Sequence, residues 1–184
     1  MSRKLIFVTG GARSGKSSFA ENWAMEFGKK TLFIATAERS DEEMVDRINK
    51  HRESRPDDWE TIEAPLNISK HLKSHHKNFD TIILDCITLL SSNALLKLPE
   101  NSTQNDSDEA ILHQIDDILK AYSKSSSTWL VVSNEVGLGI VPAYKLGRLF
   151  RDSLGRANQK IAKAADEVIL MVSGIPVYIK NQKI

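Results

Sequence analysis

The sequence predicts a three-layer α/β sandwich: helices on both faces of a mostly parallel sheet, with a C-terminal antiparallel edge strand. Three observations carry this. Apolar runs short enough for buried strands recur at Leu5–Val8, Thr31–Ala35, Thr81–Leu84, Trp129–Val132 and Val168–Val172. Stretches with helical apolar spacing separate most of them, and such alternation gives parallel sheets covered on both faces. The third observation is Gly10-Gly11-Ala12-Arg13-Ser14-Gly15-Lys16-Ser17, set between the first apolar run and the first helical stretch. It fits G-x-x-x-x-G-K-[ST], in which glycines let the backbone turn around an anion, the lysine reaches terminal phosphates and the hydroxyl meets Mg²⁺. The following helix adds free N–H groups and the positive end of its dipole. The chain therefore reads as a P-loop NTPase domain.

Composition narrows the class. A chain of 184 residues is read as one domain, 1–184, able to bury a full core. With 25 Lys+Arg against 24 Asp+Glu, and no basic cluster interleaved with aromatics, the expected partners are small molecules and not nucleic acid. The one cysteine, Cys86, cannot form an intrachain disulfide and fits a reducing compartment. Arg3 and Lys4 precede an apolar run that stops at Thr9, short of the 7–15 residues or so of a signal peptide's core. No apolar stretch approaches the ~20 residues of a membrane span. A cytoplasmic protein is expected.

Phe19, Ala20, Trp23, Ala24 and Phe27 form the inward stripe of the first helix, and Gly28 stops it. Thr36 lies just past the end of the strand Thr31–Ala35, where open α/β sheets bind ligands. Ser40 and Glu43 make a capping-box pattern opening a helix to Arg52, with Met44, Ile48 and His51 on one face. That helix ends before Pro56. Trp59–Glu63 alternates as a strand covered on one face, and Asn67–Leu72 is a short helix with His71, His75 and His76 near its polar end. Without a Cys or carboxylate to complete a ligand set, these histidines are not read as a metal site. Thr81–Asp85 is a strand ending in a carboxylate, which serves the metal in a P-loop enzyme, and a helix from Ile87 to about Leu96 follows.

Pro99–Asp106 is polar and without periodicity, so a surface loop is expected there. Ile111, Ile115, Ile118, Leu119 and Tyr122 mark the inward stripe of the next helix. Ser133-Asn134-Glu135 and the glycine-bearing run to Pro142 leave the end of strand Trp129–Val132, where a site-lining loop belongs. Tyr144–Ala165 is a long helix with Leu146, Leu149, Phe150, Leu154 and Ile161 inward; Arg148 and Arg151, one turn apart, could share a phosphate. Ser173–Pro176 turns the chain into the edge strand Val177–Ile179.

Several of these stretches together resemble the bifunctional adenosylcobinamide kinase and adenosylcobinamide-phosphate guanylyltransferase family of cobalamin biosynthesis. The resemblance rests on Thr9–Ser17, Ile34–Thr36, Arg47–Pro56, Asn134–Pro142, Phe150–Gln159, Ala165–Val168 and Val172–Pro176. It implies a RecA-like P-loop fold and two reactions: phosphorylation of adenosylcobinamide by ATP or GTP with Mg²⁺, then transfer of GMP from GTP through a GMP-histidine. His51 matches that histidine, and Lys16 is the other catalytic residue implied. Nucleotide-binding positions implied are Gly10 to Ser17, Ala35, Thr36, Ala37, Arg52, Glu53, Ser54, Arg55, Glu63 and Asp85, with Ser17 and Asp85 at the metal. A homo-oligomer, a trimer with sites between subunits, is also implied. Apart from the resemblance, the first alternative is a kinase of another small metabolite alcohol with His51 merely structural; a nucleotide-binding switch ATPase is the second, with little to support it, since no long protein-docking segment or arginine-rich tail appears.

Overall fold

The computed structural model describes residues 3–38, 55–72 and 78–181. The helix read from Ser40 to Arg52, with His51, and the histidines His75 and His76 lie outside them. The described elements are β1 (Leu5–Gly10), α1 (Lys16–Phe27), β2 (Thr31–Ala35), β3 (Glu60–Glu63), α2 (Ile68–Leu72), β4 (Thr81–Asp85), α3 (Ile87–Leu95), α4 (Gln104–Ser123), β5 (Thr128–Val132), α5 (Lys145–Ala164), β6 (Glu167–Val172) and β7 (Ile175–Asn181).

All strands join one seven-stranded sheet of order β3-β2-β4-β5-β1-β6-β7. Its pairs are parallel except β6–β7. Alternation along β1 explains the layers: Leu5 and Phe7 enter a core with α3, α4 and α5, while Ile6 and Val8 enter a second core with Ala20 and Ala24 of α1. Because both faces are covered, the central strands read as unbroken apolar runs.

Three expectations need correction. Pro99–Asp106 is not all loop: Thr103 caps α4, its hydroxyl accepting from the Asp106 N–H while the Asp106 carboxylate accepts from the Thr103 N–H. That is a capping box, and it starts a helix at Gln104 where no apolar period exists. Leu146 does not face inward but stays exposed, because the buried stripe of α5 begins only at Leu149 and its first turn lies outside the core. The final turn is shorter than Ser173–Pro176. Ser173 (φ 51°) and Gly174 (φ 84°) alone turn the chain, and Pro176 already lies in β7 opposite Met171. An edge strand accepts that proline because its ladder is needed on one side only. No helix among the described residues is long and apolar enough to cross a membrane.

Candidate nucleotide-binding site

The site is built at the C-terminal edge of the sheet. Register places Glu63, Ala35, Asp85, Val132, Val8 and Ile169 in one row across neighbouring strands. The segments that leave these strand ends therefore emerge on one side of the molecule. After Val8 comes the phosphate loop. Gly10 (φ 148°), Arg13 (φ 57°) and Gly15 (φ 93°) wind the backbone around a concavity that leads into α1, whose first turn carries no acidic residue. A Cβ on Gly10 would stand 2.5 Å from the Met171 carbonyl oxygen, so glycine is required by space as well as by φ.

The β6–β7 turn braces this loop from behind. Gly174 N–H donates to the Ser14 carbonyl at 3.0 Å, and a Cβ on Gly15 would come within 3.3 Å of Gly174 Cα. Thus the Val172–Pro176 stretch has a physical role beside the phosphate loop.

Lys16 is buried, and its Nζ donates to the Gly11 carbonyl at 2.6 Å. Burial pushes its pKa below the usual lysine value, with the Cys86 thiol and the Asp85 carboxylate pulling the other way. An ammonium desolvated inside a loop of free N–H groups is complementary to a polyanion. Asp85 ends β4 and is held from below by Thr36, which is fully buried. The Thr36 hydroxyl donates to the Cys86 carbonyl at 2.7 Å and accepts from the Cys86 N–H at 2.8 Å, while Thr36 N–H donates to the Asp85 carbonyl at 3.1 Å. Burial and the neighbouring Asp85 charge push the Cys86 thiol up to about 11, so it is a neutral packing group.

Arg55 lies over the Phe33 ring, 3.3 Å from its centroid, with Nε 3.7 Å from Glu21 Oε1. Burial raises the Glu21 pKa, Arg55 lowers it and Asp85 raises it again, so Glu21, Arg55 and Asp85 share one electrostatic neighbourhood. Sequence reading missed Glu21 and Phe33. Glu21 is an acidic residue next to inward-facing Ala20, a weak signal that its carboxylate is half-buried. The structure thus brings together Gly10 to Ser17, Ala35, Thr36, Glu63, Arg55 and Asp85; Ala37 follows Thr36 along the same edge. His51, Arg52, Glu53 and Ser54 lie outside the described residues.

The shared clamp of Arg148 and Arg151 is not formed. Arg148 Nη1 donates to the Pro142 and Ala143 carbonyls at 3.0 and 2.6 Å, closing the start of α5, and Arg151 pairs with Asp152 at 2.8 Å. The loop after β5 is nonetheless at the site. Ser133 N–H donates to the Val8 carbonyl and Glu135 N–H to the Gly10 carbonyl at 2.9 Å, so the chain runs alongside the start of the phosphate loop. An open cavity of about 800 Å³ borders it, lined by β1, β6, β7, α5 and this loop.

Residues 6–179 match the family described as "Cobinamide kinase / cobinamide phosphate guanyltransferase". The chain is 41% identical to the "Bifunctional adenosylcobalamin biosynthesis protein CobU" of Salmonella typhimurium and 39% identical to that of Escherichia coli, covering 96% of this chain and 99% of each relative. It is 36% identical to the "Bifunctional adenosylcobalamin biosynthesis protein CobP" of Pseudomonas aeruginosa, over 95% of this chain and 96% of that one. Among solved structures, an ATPase of a bacterial type III secretion system aligns with TM-score 0.60 at 12% identity, over 92% of this chain and 52% of that one. The flagellar accessory protein FlaH of Methanocaldococcus jannaschii aligns with TM-score 0.50 at 14% identity, over 98% and 79%. At those identities the likeness is one of fold.

Proposed function

The chain belongs to the cobinamide kinase / cobinamide phosphate guanyltransferase family, and from that premise we propose how its residues divide the two reactions. The observation that carries the reading is the buried Lys16 ammonium, resting on the Gly11 carbonyl inside a glycine-wound loop. A nucleoside triphosphate gives that charge a better partner than one carbonyl and the long contact to Ser14 Oγ at 3.5 Å. In the kinase step the loop from Gly10 to Ser17 holds the phosphates, and Lys16 stabilises charge that builds on the β- and γ-phosphoryl oxygens in the transition state.

Mg²⁺ fits the residues present. Ser17 offers a hydroxyl and Asp85 a carboxylate, both hard oxygen donors, beside the loop that receives the phosphates. No group of three or more His, Cys, Asp or Glu suited to a metal occurs among the described residues. Mg²⁺ needs none, since it keeps several waters and shares phosphate oxygens. When bound, it would neutralise phosphate charge.

For the second step, His51 is the nucleophile. An unprotonated imidazole nitrogen has a free lone pair, so it attacks the α-phosphorus of GTP directly. A P–N bond forms, the bond from α-phosphorus to the bridging oxygen breaks, and pyrophosphate leaves. The phosphate of cobinamide phosphate then attacks the same phosphorus, and the P–N bond breaks. Arg52, Glu53, Ser54 and Arg55, with Ala35, Thr36, Ala37, Glu63 and Asp85, are assigned to nucleotide contacts on the strength of the family motif; the sheet register supports Ala35, Glu63 and Asp85.

The reading extends to a cytoplasmic homo-oligomer, a trimer, in keeping with the family resemblance. In its support, Leu138, Ile140 and Val141 beside α5 and Ile175, Val177 and Ile179 on β7 are exposed. Such residues give a partner copy apolar surface to cover. Light scattering of the purified protein tests the subunit count. The function is tested by incubating the protein with cobinamide, ATP and GTP and weighing the products. Cobinamide phosphate followed by its GDP-linked form is expected; unchanged cobinamide would overturn the assignment.

A further inference from the structure

The cavity beside the phosphate loop is not accounted for by nucleotide binding. Its walls are apolar at Phe7 and Val168 and polar at Thr9, Glu135, Arg151 and Asn158. Its volume of about 800 Å³ lies at the upper end of ordinary small-molecule sites. Thr9 precedes the first loop glycine, is 7% exposed, and its Oγ1 has no hydrogen-bond partner among the described residues. A buried hydroxyl left unsatisfied is unfavourable, so it favours a ligand that supplies the missing bond.

Charge separates the possible ligands. Arg151 is paired with Asp152, and Arg156 on the same wall with Asp108 at 3.1 Å. With those cations neutralised, the cavity suits a bulky organic molecule bearing neutral polar groups better than a second polyphosphate. Glu135 sits where the cavity meets the phosphate loop: its N–H donates to the Gly10 carbonyl, and its Oε1 accepts from Gly137 N–H at 2.8 Å. Asn158 fixes the approach to it. Its Oδ1 accepts from the Ser133 hydroxyl at 2.7 Å and its Nδ2 donates to the Asn134 carbonyl at 3.0 Å, clasping the chain just before Glu135 to α5.

We propose that this cavity receives the acceptor alcohol of the kinase step, with Glu135 taking the hydroxyl proton and Asn158 acting as a positioning residue for Glu135. This rests on the family reading of the acceptor as cobinamide. The alcohol oxygen attacks the γ-phosphorus and forms an O–P bond, and the bond to the β,γ-bridging oxygen breaks. The nucleoside diphosphate departs, and the proton passes from the alcohol to the Glu135 carboxylate and then to water. Nucleotide on the loop and acceptor in the cavity thus meet across Gly10.

Two variants test it in the full-length protein. Gly155 lines the cavity on α5, and a Cβ built there meets nothing within 4 Å, so Gly155→Leu fills the space without backbone strain. It should raise KM for cobinamide at least tenfold and weaken cobinamide retention in equilibrium dialysis, with ATP affinity and thermal unfolding unchanged. Glu135→Gln should lower phosphorylation kcat by about 10²-fold or more, the scale of a lost general base, at unchanged ATP affinity and unchanged KM for cobinamide. An active wild type with a Gly155→Leu variant of unaltered KM and retention overturns the cavity assignment alone. Full kcat in Glu135→Gln overturns the role of Glu135. A wild type that binds ATP but neither retains nor phosphorylates cobinamide overturns the family reading, and this proposal with it.

Discussion

Replacing Lys16 by Met separates the cost of the buried charge from its use. The methionine stem follows a similar path, so packing around α1 changes little. What disappears is the ammonium with its bond to the Gly11 carbonyl at 2.6 Å and its long, weak one to Ser14 Oγ at 3.5 Å. A hydrogen bond to a charged group contributes about 1.5–3 kcal/mol. Against it stands the desolvation of an ammonium, an effective penalty of several kcal/mol before compensation. The two nearly offset, so Lys16→Met should leave stability within about 1 kcal/mol of wild type or raise it slightly. Activity should behave differently, because in the proposed kinase step the charge meets phosphoryl oxygens as they gain negative charge. Removing one such donor costs about 2.7–4 kcal/mol of transition-state stabilisation, or 10²–10³ in kcat. Urea unfolding and the rate of cobinamide phosphorylation are the paired assays. The pH dependence has a definite sign. The folded-state pKa lies below the unfolded value of 10.5, so the unfolded chain holds the proton more tightly. Between the two pKa values wild-type stability therefore rises with pH, and any advantage of the Met variant shrinks and is gone above the unfolded value. A variant that loses 2 kcal/mol or more, ~30-fold in the folding equilibrium, would refute this reasoning by showing that the lysine holds the loop together.

Two further predictions concern the β4 edge. Asp85→Asn keeps shape but removes charge, so its defect should appear as a higher Mg²⁺ concentration for half-maximal turnover; a Mg²⁺ titration matching wild type would remove Asp85 from the metal site. Thr36→Val leaves the Cys86 N–H and carbonyl without their hydroxyl partner at a fully buried position. It should lower unfolding free energy by about 1–3 kcal/mol in urea melts and weaken nucleotide binding, whereas unchanged values would mean the Asp85–Cys86 segment is held by other groups.

Much of the fold is legible in sequence because the signals are local. The phosphate loop is contiguous, and the buried strands show themselves as apolar runs since both faces of the sheet are covered. The first turn of α4 is hidden because Thr103 and Asp106 form their capping box within a polar stretch that lacks apolar spacing. Leu146 misleads because period places it on the inner stripe while burial along α5 starts only at Leu149. Glu21 beside Arg55, and Thr9 and Glu135 on the walls of one cavity, are meetings across strands or between distant segments. Period and composition contain nothing about such pairs. The family motif supplies His51 where periodicity favours a packing residue.

That one protein both phosphorylates cobinamide and carries GMP on a histidine is tested most directly by the transfer of label from GTP to the intact protein. A P–N bond is stable in alkali and broken in acid once its nitrogen is protonated. Label from α-labelled GTP should enter the wild-type protein with release of pyrophosphate, survive alkali and be lost in acid, while γ-labelled GTP leaves the protein unlabelled. His51→Ala should abolish labelling and guanylyl transfer yet keep cobinamide phosphorylation. A wild type that completes guanylyl transfer without ever carrying label, or a His51→Ala protein that transfers GMP at full rate, would contradict the covalent mechanism.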